Sequence, residues 1–303
     1  MKRRDFLKKG VGAGIFAGTA LSLVGHSGLI AGVHPEDYDL VAIKGGEAVD
    51  MFDKGIASLG GMRKFVKKNQ TVVVKPNIGW DVVPEKGANT NPHLVKRIIE
   101  HCFNAGAKEV YVFDHTCDKW DKCYQNSGIE KAAKEAGAKV VPGNSESHYQ
   151  EVEINGKKLK TDKVHELILD SDVFINVPVL KSHSSAKITV CLKNLMGINW
   201  DRRFWHKNDL HQCIADFASY RKPDLNIVDA YRVMTNNGPR GVSIEDISVM
   251  KSQIISTDMV AADAAATKIF GLEPADIGYI QHAADNNIGE MDLTKLNIKR
   301  IMI

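Results

Sequence analysis

Apolar positions in this chain fall into short runs separated by longer amphipathic stretches. From Thr71 onward, Val72 to Lys75, Glu109 to Asp114 and Lys139 to Pro142 read as strands, with helical spacing in Asn91 to Ala105 and Gly128 to Ala136 between them. Such alternation predicts parallel strands joined by crossover helices. The first helix has clear ends: Asn91 as N-cap, Pro92 in the first turn and Gly106 after the last, with Leu94, Val95, Ile98, Ile99 and Cys102 as its buried face. From Asn144 to Lys163 the pattern is irregular and suits a hairpin around Asn155-Gly156.

Parallel elements then resume. Asp172 to Val177 and Leu225 to Asp229 are apolar runs of buried-strand type, and Asp209 to Tyr220 places Leu210, Cys213, Ile214 and Phe217 on one helical face. The last third offers a strand from Val249 to Ser256, an alanine-rich helix opened by Asp258, a helix from Ala275 to Asp285 and a strand from Ile298 to Ile303. The expected fold is α/β: a parallel, Rossmann-like sheet flanked by helices, with a small inserted hairpin region, forming a single domain over residues 38–303.

The beginning of the chain follows a different pattern. Arg3-Arg4-Asp5-Phe6-Leu7-Lys8 precedes a glycine-rich, mildly apolar stretch from Val11 to Val33 without an acidic residue. Residues 1–33 therefore read as a twin-arginine signal, with the twin-arginine translocase as partner and an extracytoplasmic, periplasmic destination. The stretch also approaches the roughly 20 apolar residues that span a bilayer, so an uncleaved anchor is the alternative. Gly12-Ala13-Gly14-Ile15-Phe16-Ala17 fits a dinucleotide fingerprint as a string, but no strand precedes it. Export in the folded state usually accompanies insertion of a cofactor.

Composition removes one class of partner. The chain has 303 residues, 44% hydrophobic and 25% charged, with a formal charge of +3. Without residues 1–31 it holds 35 basic and 36 acidic residues, so nothing suggests nucleic-acid binding.

Ligands of open parallel sheets sit beyond the carboxyl ends of the strands. Polar groups gather there: Lys75 and Asn77, then Asp114, His115 and Thr116, then Lys181, Ser182 and His183, and Asp229. From Asn176 to Asn199, Lys181, His183, Lys187, Lys193 and Asn194 are interleaved with apolar residues, so some of these amines approach buried surface and call for an anion. Lys181, His183 and Lys193 are the candidate catalytic groups. Lys75, Asn77, Asp114, Thr116, Asn194 and Asp229 are the candidate binding groups. Of the five cysteines, Cys102, Cys191 and Cys213 lie in apolar runs. His115, Cys117 and Cys123 in one polar loop are either ligands of a metal ion or iron–sulfur cluster, or include a Cys117–Cys123 disulfide.

Several segments carry a resemblance. Val73-Val74-Lys75-Pro76-Asn77, Asn89-Thr90-Asn91-Pro92, Asn176-Val177-Pro178-Val179-Leu180-Lys181-Ser182-His183, Leu192-Lys193-Asn194-Leu195-Met196-Gly197, Asp229-Ala230 and Asn237-Gly238-Pro239 resemble the domain-of-unknown-function 362 family over about residues 38–300. Many members carry a ferredoxin-like module with two iron–sulfur clusters, which implies electron transfer. This chain has no CxxCxxC run, so the resemblance implies a separate electron-transfer partner. In layout there is also a looser likeness to nickel-cofactor lactate racemases. The expectation is an exported, cofactor- or metal-dependent redox enzyme acting on an anionic small molecule. The alternative is a noncatalytic metal- or cofactor-binding or maturation factor for exported redox enzymes.

Overall fold

The computed structural model describes residues 38–303, so the signal and anchor readings of residues 1–33 and the glycine string at 12–17 lie outside the described residues. Twelve strands occur among the described residues. They are β1 (Leu40–Lys44), β2 (Thr71–Pro76), β3 (Glu109–Val112), β4 (Lys139–Val140), β5 (Tyr149–Glu153), β6 (Thr161–His165), β7 (Val173–Val177), β8 (Val179–His183), β9 (Lys187–Thr189), β10 (Leu225–Met234), β11 (Ile247–Ser256) and β12 (Ile298–Met302). The helices are α1 (Ala48–Ser58), α2 (Pro92–Ala105), α3 (Trp120–Asn126), α4 (Ile129–Glu135), α5 (Glu166–Asp170), α6 (Cys191–Asn194), α7 (Arg202–Lys207), α8 (Leu210–Ala218), α9 (Met259–Phe270) and α10 (Gly278–Asp285).

The main sheet runs β12-β1-β11-β10-β7-β2-β3-β4, with β8 paired to β10 and β9. From β10 through β7 and β2 to β4 the neighbours are parallel, as the alternating pattern requires. The far side is mixed, because β11 is antiparallel to both β10 and β1. A long β10–β11 hairpin connection needs no crossover helix, and the expectation of parallel strands did not cover it.

Both faces of the sheet are buried, so its strands are apolar without strict alternation. Val72 and Val74 pack on one side with Met51, Phe52, Leu94, Ile98 and Tyr124; Val73 and Phe174 pack on the other with Leu192, Ile214, Phe217 and Ala262. Helix α2 buries the expected Leu94, Val95, Ile98, Ile99 and Cys102, and Asn91 accepts the N–H of His93 as its cap. Each such buried Leu or Ile contributes about 1.5–3 kcal/mol relative to exposure. The inserted hairpin is β5–β6, antiparallel, with Asn155 in the left-handed region at φ 58°.

Strands β2, β3 and β4 extend the sheet one way from the β2–β7 pair, and β7 and β10 extend it the other way. This change of direction opens a crevice at the carboxyl ends of β2 and β7. Among the described residues no helix is long and apolar enough to cross a membrane.

Candidate functional site

The floor of the crevice is a buried ion pair. Lys75, at the end of β2, is wholly buried and places its Nζ 2.8 Å from Oδ1 of Asp114, which follows β3. The amine also donates to the Pro76 carbonyl at 2.8 Å and to Asn194 Oδ1 at 3.0 Å. Asp114 Oδ2 accepts the Ile78 N–H at 2.6 Å. Behind it the Tyr124 hydroxyl of α3 accepts the Asp114 N–H at 2.7 Å. Burial lowers the Lys75 pKa, and the neighbouring Asp114 opposes that shift. A Cβ on Gly197 would lie 1.8 Å from Asp114 Oδ1 and 2.5 Å from Lys75 Nζ. The Met-Gly turn after α6 is thus tied to glycine by the pair beneath it.

Two further lysines stand above this floor. Lys181 of β8 donates to Asn77 Oδ1 at 2.9 Å and to the Ala88 carbonyl. Desolvation pushes its pKa down to about 7, with Lys193 and Lys75 adding repulsion. Lys193 of α6 is also buried, and burial pushes it down to about 8. Among the described residues the one hydrogen-bond partner of its amine is the thioether of Met196, at 2.8 Å. A thioether is a weak acceptor, so this charge has little compensation from the protein.

The amide ladder behind the lysines fixes their positions. Asn194 Oδ1 accepts from Asn77 Nδ2 at 3.1 Å, Asn194 Nδ2 donates to Asn176 at 2.8 Å, and Asn176 donates to Asn226 at 3.1 Å. Helix α6 is held at its start by Asp263, which accepts the N–H groups of Cys191 and Leu192 at 2.7 and 3.1 Å.

A cleft of about 350 Å³ lies over these groups, lined by Asn77, Asp114, His115, Cys117, Lys181, His183, Lys193 and Asn194 from the expected set. The same cleft receives residues that the sequence analysis did not single out: Trp80 and, from α7, Arg202, Arg203 and His206. The sequence signal for them is the basic, aromatic run Asp201-Arg202-Arg203-Phe204-Trp205-His206-Lys207. Arg202 donates to the carbonyls of His115 and Thr116 and, at 3.3 Å, to Cys117 Sγ. His183 is pushed down to about 3 by burial and by Lys193 and Lys181, and its Nδ1 accepts the N–H of Ser185 at 3.1 Å.

Some expected residues go elsewhere. Strand β10 does not end at Asp229 but continues to Met234 with an irregularity after Ala230. The buried Asp229 carboxylate accepts the Asn91 and Tyr231 N–H groups at 2.8 and 3.1 Å and faces a different hollow. Thr116 turns its hydroxyl to the Asp118 carbonyl at 2.7 Å. Lys187 reaches the Asp276 carbonyl at 2.7 Å.

His115, Cys117 and Cys123 do not assemble into a metal centre. Nδ1 of His115 lies 2.9 Å from the Asn199 carbonyl, Cys123 is buried with its thiol toward the Gly79 carbonyl, and Cys117 is exposed beside Arg202. Among the described residues no group of three or more His, Cys, Asp or Glu side chains is placed to hold a metal. A guanidinium and three lysines around Cys117 also oppose a cation electrostatically, so the donor set does not fit a metal ion or an iron–sulfur cluster.

The Cys117–Cys123 disulfide is likewise not formed, since all five cysteines are free and four of them are buried. An alkylating reagent is expected to label one thiol, Cys117, in the native protein and five after unfolding without reductant. Mass spectrometry reads the outcome, and only three labelled thiols after unfolding would contradict it.

The chain has three similarities to known proteins. A thylakoid-associated protein of Synechocystis sp. is 26% identical over 234 residues, covering 72% of this chain and 68% of that protein. The lactate racemase apoprotein from Thermoanaerobacterium thermosaccharolyticum aligns with a TM-score of 0.43 and 13% identity, over 72% of this chain and 54% of that one. The family described as a domain of unknown function, DUF362, matches residues 72–268, which include Lys75, Asp114, Lys181, Lys193 and the α7 arginines. With its matched region spanning the whole lysine cleft, the chain belongs to the DUF362 family.

Proposed function

We propose that this cleft binds an anionic small molecule, a substrate or an organic cofactor, and that the chain is an enzyme which moves a proton on it. The observation that carries this reading is Lys193, a buried amine whose one hydrogen-bond partner among the described residues is a thioether. An uncompensated buried ammonium costs several kcal/mol, and a bound carboxylate or phosphate would remove that cost. Arg202 and Arg203 at the rim add attraction for the same sign of charge.

Lys181, with its pKa near 7, is suited to give or take a proton at neutral pH. That favours catalysis over a purely noncatalytic carrier, which has no use for a titrating amine. Redox chemistry remains part of the proposal through the family resemblance, with electrons from a separate partner. The cleft itself supports the anion and the proton.

The pH dependence has a definite sign. Both amines titrate near 7 and 8 in the folded protein and near 10.4 when unfolded. Between those values the unfolded chain binds more protons, so stability of the free protein rises with pH up to about 10. Anion affinity falls over the same lower window, as the ammonium charges are lost. Thermal-shift titrations of the full chain with phosphate, oxalate, malonate and pyrophosphate from pH 6 to 9 test this. At least one anion is expected to stabilise the protein saturably at pH 6, and more weakly at pH 9. No stabilisation by any of them, or equal stabilisation at both ends, would sink the reading.

A further inference from the structure

Of the three histidines lining the cleft, His115, His183 and His206, the backbone around the first two fixes which ring nitrogen carries the proton. A backbone N–H only donates. Nδ1 of His183 receives the N–H groups of Ser185 and Ala186 at 3.1 and 3.3 Å, so it offers its lone pair, and the proton of the neutral ring sits on Nε2. A carbonyl only accepts. Nδ1 of His115 lies 2.9 Å from the Asn199 carbonyl, so there the proton is on Nδ1 and Nε2 keeps the lone pair. The Trp200 ring, stacked on His115 at 4.9 Å and 4°, holds that plane.

Both rings stay neutral, His115 pushed down to about 4 chiefly by burial and His183 to about 3. Neither Nε2 makes a hydrogen bond within the described residues, and neither is among the sealed, unpaired polar atoms. Asp114 is engaged with Lys75 and Ile78, Asn77 Oδ1 with Lys181, and Asn194 Oδ1 with Lys75 and Asn77, whereas the Thr189 hydroxyl, which can donate as well as accept, has no partner among the described residues.

We propose that His183 and His115 are locked in opposite tautomers, as a fixed donor and a fixed acceptor, and make the cleft select an anion that carries an O–H beside its charge. The proposal rests on the anion reading above. His183 through Nε2–H, together with the charged Lys193, presents donors to the acidic group. His115 presents a lone pair that only an O–H or N–H of the ligand satisfies. A fully ionised oxyanion leaves that lone pair dry and unpaired, which lowers its affinity by roughly tenfold or more.

Phosphate and sulfate separate the two readings, because at pH 7 both are compact tetrahedral anions but only phosphate retains an O–H. Calorimetric titration of the full chain is expected to show phosphate binding at least about tenfold tighter than sulfate. His115→Phe is expected to bring phosphate down to the level of sulfate, and His115→Gln, whose amide oxygen accepts, to restore part of the preference. Nitrogen-15 spectra of the unmutated, histidine-labelled protein are expected to show Nε2–H at His183 and Nδ1–H at His115. Equal binding of the two ions, a preference that survives His115→Phe, or matching tautomers would overturn the proposal and leave the anion reading standing. Binding of neither ion at millimolar concentration would overturn both.

Discussion

Asp114→Ala is expected to cost about 3–5 kcal/mol of folding stability, the range for breaking one half of a buried ion pair. The cost comes from what remains. Lys75 stays wholly buried with its charge unanswered, and the Ile78 N–H loses its acceptor. Urea unfolding of the parent, Asp114→Ala, Lys75→Met and the double variant measures this. The double variant is expected to recover part of the loss, because no buried charge is left unanswered while the Ile78 N–H still lacks its acceptor. A loss below about 1 kcal/mol in Asp114→Ala would mean that Lys75 is already neutral or solvated in the folded protein.

Lys193→Met is expected to act in the opposite sense on stability and to weaken ligand binding severely. The substitution replaces a poorly paired ammonium, beside Met196, with an apolar chain of similar length. Replacement of buried charge in this way is neutral or stabilising by about 1–4 kcal/mol. The same change removes the charge that the bound anion meets. Anion affinity is expected to drop by about a hundredfold or more, corresponding to one charge-assisted hydrogen bond and its Coulomb attraction at ~3 kcal/mol. More stable but binding far more weakly is the pattern of a residue kept for function at a cost to the fold. If the variant instead unfolds more readily, Lys193 is serving the structure.

The parallel part of the fold was legible because both faces of its strands are buried. Val72 to Lys75, Asp172 to Val177 and Leu225 to Asp229 stand out as apolar runs, and α2 is marked by Asn91, Pro92 and Gly106. Three features were less legible, each for a physical reason. The β8–β9 hairpin carries Lys181, Ser182, His183 and Lys187, and these polar residues, some directed to the cleft, break the apolar period. The antiparallel β10–β11 pairing is a long-range choice that no local pattern encodes. Strand β1 and α1, from Leu40 to Ser58, took no place in the pattern read from Thr71 onward.

The site was legible where one strand end supplies one functional group. Asn77, Asp114, Lys181 and His183 were identified in this way, and Lys193 and Asn194 from the lysine-rich run; these six line one cleft, with Lys75 in the ion pair beneath it. Asp229 was misassigned because β10 runs on for five residues beyond it, so the apparent strand end was the middle of a strand. Arg202 and Arg203 were missed because their place depends on α7 folding back over residues 115–117, a contact between segments 85 to 87 positions apart in the chain. The cysteine-rich loop invited a metal reading from residue types alone, whereas Arg202 and the buried setting of Cys123 decide against it.

The central claim is that the lysine cleft is an anion site organised around Lys193. Calorimetric titration of inorganic phosphate at pH 6.5 and low salt, into the full chain and into Lys193→Met, tests it most directly. The account predicts one saturable site per chain in the parent, and binding weaker by about a hundredfold in the variant. Equal binding in both proteins, or no binding in the parent, would contradict it.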